Sequence, residues 1–141
     1  MREKNGCYTY FAIKGDFNPD EITRMLELTP TKQWSIGDLR RNGTIYDFAL
    51  WEFGRCEDYD IITENQMMCT IKELIPKTKI LQEIKKNYNV CFVLEVVPSI
   101  YTEESTPCLA PNRAVIEFCY LTETDIDIDL YVFFDSDETE A

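Results

Sequence analysis

Any chemistry in this chain must come from a narrow set of side chains. Its 141 residues include no histidine. The six cysteines, Cys7, Cys56, Cys69, Cys91, Cys108 and Cys119, are scattered and form no C-x-x-C pair. Ser-His-Asp and Cys-His nucleophile systems are therefore excluded, with the usual zinc patterns. The side chain best suited to proton transfer near neutral pH is missing too. An enzyme here would need carboxylates, lysine, tyrosine or a bound metal. Gly6, Gly15, Gly37, Gly43 and Gly54 match neither G-x-x-x-x-G-K-[ST] nor G-x-G-x-x-G, so nucleotide use is not expected.

Three groups of residues remain as candidates. Residues 28–54 hold both tryptophans, a Thr-Pro-Thr, a Gly-Asp and a double arginine. Thr31, Lys32, Trp34, Asp38, Arg40 and Arg41 would sit on a loop beside the strand that carries Trp51. Loops carry function more often than cores, and Trp and Arg favour recognition hot spots. The plainer reading is that both tryptophans pack the loop onto a sheet and Gly37-Asp38 makes a turn. Asp125, Asp127 and Asp129 are the second group. Alternate residues of a strand face the same way, about 7 Å apart. Aspartate is disfavoured in strands, so three at this spacing ask for a reason. A solvated or charged edge that discourages aggregation is one, contact with a basic partner another, and a metal the third. Parallel carboxylates converge poorly on a cation. Glu95 is the third candidate, because it interrupts an apolar strand. Desolvation would raise its pKa and allow acid-base work. The plainer reading is that it pairs with a lysine or arginine, or reaches the sheet rim.

The elements that must position these residues follow from periodicity and punctuation. Residues 7–14 read as a strand. Asn18-Pro19-Asp20-Glu21 is a strong helix start, and Ile22, Met25 and Leu26 give that helix an apolar stripe to about residue 28. Residues 46–53 read as the second strand. Phe48, Leu50 and Glu52 fall on one face, Ala49, Trp51 and Phe53 on the other. Thr63-x-x-Gln66 matches a capping box before Met67, Met68, Ile71, Leu74 and Ile75. Pro76 kinks that helix or opens another, with Ile80, Leu81, Ile84 and Tyr88 as its stripe. Residues 90–97 are nearly all apolar and read as a central strand covered on both faces. A loop over 98–111 leads to a helix over 112–121 with Val115, Phe118 and Cys119 inward. Residues 125–134 alternate, placing Ile126, Ile128, Leu130 and Val132 inward.

The expected fold is α+β, a ferredoxin-like sandwich of β-α-β, a helical pair and β-α-β. Its sheet would be mostly antiparallel, with helices on one face. Residues 1–134 form one domain, and 135–141 an acidic tail expected to be disordered. The six cysteines read as small, buried or half-buried apolar residues, with disulfides or a reactive thiol as the alternative. No apolar run approaches the roughly 18 residues that span a bilayer. The start of the chain lacks a signal-type apolar segment, so a cytoplasmic location is expected. Charge is polarised. Residues 1–90 carry a net −1, whereas residues 91–141 carry a net −11, with Arg113 their one basic residue. Such a segment repels nucleic acid and anionic membrane and favours a basic partner.

The stretches YTYFAIKGDFNPDEIT, LTPTKQWSIGD and ALWEFG, with the closing IDIDLYVF, resemble the bacterial "domain of unknown function 4279" family over about residues 8–134. The resemblance implies a small cytosolic domain and brings no catalytic residues, cofactor or metal. The leading expectation is a non-catalytic binding protein, of an immunity or accessory kind, with an acidic surface for a basic protein. The alternative is an enzyme or small-ligand sensor with a pocket near the 29–51 loop and Glu95.

Overall fold

A computed structural model describes residues 4–59, 63–101, 103 and 108–134. The chain runs β1 (Gly6–Asp16), α1 (Pro19–Leu26), β2 (Lys32–Trp34), β3 (Ala49–Asp58), α2 (Thr63–Ile71), a 3-10 turn (Ile75–Lys77), α3 (Thr78–Asn87), β4 (Asn89–Tyr101), α4 (Arg113–Thr122), β5 (Thr124–Ile128) and β6 (Tyr131–Phe133). The strands form one mixed sheet in the order β2-β3-β1-β4-β5, and β6 pairs with β4 beyond the end of β5. β1 is antiparallel to both β3 and β4, while β5 and β6 run parallel to β4. The expected α+β sandwich is present, with the helical pair between β3 and β4. The expected tail at 135–141 lies outside the described residues.

One face of the sheet is buried under the helices. Phe11, Ile13, Trp51, Phe53, Phe92, Leu94 and Val96 meet Ile22 and Leu26 of α1, Met67 and Ile71 of α2, Leu81 and Ile84 of α3, and Val115 and Phe118 of α4. Asn18 and Asn112 cap α1 and α4 through their side-chain oxygens, which accept from the amides of Asp20 and Val115. Each of these helices ends on a glutamate in the left-handed region, Glu27 and Glu123. The two halves thus share their start and stop devices. The capping box at residue 63 does not form. The Thr63 hydroxyl donates to the Cys108 carbonyl, and the Gln66 amide reaches back to the Cys7 carbonyl at 2.9 Å.

A bulge in β3 decides which side chains reach the other face. Thr9 faces Cys56 and Phe11 faces Phe53, so Gly54 and Arg55 together oppose Tyr10. Gly54 has φ +75°, and a Cβ there would lie 2.5 Å from the Thr70 carbonyl oxygen. Only glycine fits this left-handed, closely approached position. The extra residue swings Arg55 away from the helices and turns Cys56 toward α2. There it forms a disulfide with Cys69, with 6.5 Å between Cα atoms. For this pair the disulfide alternative holds in place of the plain reading as unpaired apolar residues. Cys7 and Cys119 are buried as expected, and Cys91 and Cys108 are exposed.

Two strands differ from expectation. β4 was expected to be covered on both faces, yet from Phe92 to Val96 it alternates between buried and half-buried residues. Its helix-side face is sealed along this stretch, and on the other face burial is complete only at Val97, opposite Tyr8. The final strand is not continuous from 125 to 134. Asp129 donates its amide to the Val96 carbonyl at 2.8 Å, which fixes the parallel pairing. In that register the next amide of β4 to donate would be that of Pro98, which has none. The ladder breaks there, and β6 resumes opposite Ser99. Ile126 still packs on the core, but Ile128, Leu130 and Val132 are exposed rather than inward.

Candidate functional site

The loop candidate divides into a packed part and an exposed turn. Trp51 is fully buried, stacks on Phe53 and donates its indole N–H to the Thr23 hydroxyl at 2.9 Å. It is a core residue and offers no surface for binding. Trp34 is half-buried on β2, a short edge strand that periodicity did not reveal. Its ring stacks on Tyr46 at 3.8 Å, and its N–H donates to the Phe48 carbonyl at 2.9 Å. Thr31 donates to the carboxylate of the buried Glu52 at 2.9 Å. The carboxylate of Asp38 accepts from the Ser35 amide at 2.8 Å and closes a turn. Arg40 lies 4.6 Å over the Tyr46 ring. Arg41 and Lys32 are exposed. Thr31, Trp34, Asp38 and Arg40 hold a hairpin together, and the buried Nε of Arg40 has no hydrogen-bond partner among the described residues.

The second and third candidates come together. Glu95 lies between Tyr10 of β1 and Asp127 of β5 in the sheet register. All three belong to the face that the helices leave uncovered, with Tyr8, Lys14, Val93 and Asp125. Arg55, swung out by the bulge, sits 4.0 Å over the Tyr8 ring and 5.8 Å from the Tyr10 ring. Burial pushes the Glu95 carboxyl up to about 7; a hydrogen bond to Asp127 and the Asp127 charge add to this, and Asp129 contributes less. Lys14 opposes the shift without cancelling it. The Tyr10 hydroxyl is pushed up to about 12, by burial first and then by Glu95 and Glu52. The expected pairing of Glu95 with a base therefore gives way to a carboxyl pair that holds one proton near neutrality. Asp125, Asp127 and Asp129 are exposed as expected. Asp129 accepts from the Tyr131 hydroxyl at 3.2 Å.

This arrangement can bind and release a proton and can attract cations. Among the described residues, no group of three or more Cys, Asp or Glu is placed to hold a metal ion. A shallow cleft of about 420 Å³ opens at the other end of β1, lined by Lys14, Gly15, Asp16, Ile36, Asp47, Phe48, Asn89, Val90 and Cys91. Another, of about 440 Å³, lies between α3 and α4. Neither contains Asp38, Arg40 or Glu95. Sequence reasoning missed Tyr8, Tyr10 and Arg55. The alternation of Tyr8 and Tyr10 was a usable signal; the position of Arg55 depends on the Gly54 bulge and was not.

Among the described residues no helix is long and apolar enough to cross a membrane. No curated protein and no solved structure matches the chain significantly. A family model does, over residues 5–133; it is described as a domain of unknown function (DUF4279).

Proposed function

The chain belongs to the DUF4279 family, and from that premise we propose that it is a non-catalytic binding protein whose β4–β5 flank receives a basic protein. The observation that carries this reading is the Glu95–Asp127 pair. The two carboxyls stand side by side on neighbouring strands, beside Asp125 and Asp129, and Lys14 offsets only part of the effect on Glu95. A cationic side chain from a partner would supply the missing compensation. The net −11 of residues 91–141 would steer such a partner in from a distance. An immunity or accessory role in a bacterial cytoplasm is part of the same proposal. The enzyme or sensor reading is less well supported, because neither of the two clefts described above is lined by Asp38, Arg40 or Glu95.

The test is kinetic. The on-rate of a lysine-rich peptide is measured across a salt series for the wild type and for D125N/D127N/D129N. Exposed charges are screened over about 8 Å at physiological ionic strength, so the wild-type on-rate should fall steeply with salt. The triple variant should start lower and fall less, while its thermal stability stays close to wild type. An on-rate that the triple substitution leaves unchanged at every salt concentration would move the contact surface to the Trp34 hairpin.

A further inference from the structure

The sheet has two outer edges of opposite character. On one side lies β2, three residues long and carrying Lys32. Short length and lysine are common devices for protecting an edge from stray pairing. The other side ends at β5, Thr-Asp-Ile-Asp-Ile, and among the described residues no strand lies beyond it. β5 has no lysine, proline or bulge; its edge charges are Asp125 and Asp127, which deter an acidic strand but not a basic one. The bond from the Asp129 amide to the Val96 carbonyl fixes which way its backbone points. Alternate residues of a strand direct their amide and carbonyl groups to opposite sides. Asp125, Asp127 and Asp129 therefore turn theirs toward β4, and Ile126 and Ile128 turn theirs outward.

We propose that the outer edge of β5 accepts an extended segment of alternating basic and apolar residues as an added strand. This rests on the acidic-flank reading above and specifies its partner. The amides and carbonyls of Ile126 and Ile128 pair with the guest backbone, the usual source of affinity in strand addition. Residues directly opposite on neighbouring strands bring their Cβ atoms to about 5 Å. Guest lysines or arginines thus meet Asp125 and Asp127 on the uncovered face. The guest residues between them fall on the helix side, where they cover Ile128, which is 40 % exposed. A second copy of this chain is the wrong occupant. It would set aspartate against aspartate, and like charges directly opposite are destabilising.

The probe is a synthetic peptide of alternating lysine and valine, compared with one of the same composition in block order. The alternating peptide should bind the full chain about tenfold more tightly, because only it can present its charges on one face. Its binding should slow hydrogen exchange at the Ile126 and Ile128 amides. D125N/D127N should weaken binding about two- to thirtyfold, the range expected for two exposed ion pairs. Ile128→Pro should abolish binding, whereas Ile128→Ala retains it, since proline removes an outward amide and leaves the β4 ladder intact. If the proline variant does not fold, exchange at Ile126 and Ile128 in the wild type decides. Equal binding of both peptides, lost in D125N/D127N and without slowed exchange, would overturn strand addition and leave the acidic-flank reading standing. Failure of both peptides to bind would overturn both.

Discussion

Replacing Glu95 by glutamine gives a sharp check on the carboxyl pair. Glu95 titrates at about 7 in the fold, against its ordinary 4.5. The folded state therefore holds a proton that the unfolded chain has released, between pH 4.5 and 7. The contribution of Glu95 to stability is fully present below 4.5 and is lost as pH rises through 7. The 2.5-unit gap, at about 1.4 kcal/mol per unit, sets an upper bound of about 3.4 kcal/mol. Glu95 is only half-buried, so solvent screening reduces this to about 1–2 kcal/mol. Glutamine keeps the shape and never ionises. At pH 8, E95Q should be the more stable protein by that amount, a rise of roughly 3–8 °C in Tm for a domain of this size. At pH 4 the two should melt together. Thermal melts followed by circular dichroism at both pH values suffice. A variant that melts below wild type at pH 8, or that shifts equally at both pH values, would refute the reasoning. Lys14 would then neutralise Glu95, and the flank would have lost its unmet negative charge.

Two further substitutions separate packing from surface. Trp51→Ala empties a fully buried site and should cost about 3–5 kcal/mol. Trp34→Ala removes a stack and a half-buried hydrogen bond, about 1–2 kcal/mol; similar losses in urea denaturation would show that the hairpin belongs to the core. Cys56 and Cys69 close a loop of separation 13, which should contribute about 3 kcal/mol when oxidised. C56S/C69S should match the wild type in reducing buffer and melt roughly 10 °C lower without reductant. Identical wild-type melts with and without reductant would contradict this.

Where a single residue dictates local geometry, the sequence was readable. Asn18-Pro19 and Asn112 marked two helix starts, and the stripe of Val115, Phe118 and Cys119 marked a buried face. The alternating aspartates were correctly placed outward. Where geometry depends on a neighbouring strand, it was not. Pro98 lies inside β4, and what it interrupts is the pairing of a strand some thirty residues later. The need for glycine at position 54 is visible only once Thr70 is brought against it. The two tryptophans look alike in sequence, and only the sheet assigns Trp51 to the core and Trp34 to its margin. The Glu95–Asp127 pair is of the same kind. Each carboxylate was visible alone, but their meeting required the parallel register of β4 and β5.

β1 comes first among the elements, yet it lies in the middle of the sheet. Cys7 pairs with Asp58 on one side and with Pro98 on the other. On the ribosome, β1 must therefore wait for both partners, and its second edge stays unpaired until β4 has emerged. Non-local pairing of this kind slows folding, to milliseconds or longer in comparable sheets. During that wait the half-apolar strand GCYTYFAIKGD is open to other chains. The aspartates of β5 emerge only after β4. The vulnerable interval in this protein's life falls before its acidic flank exists.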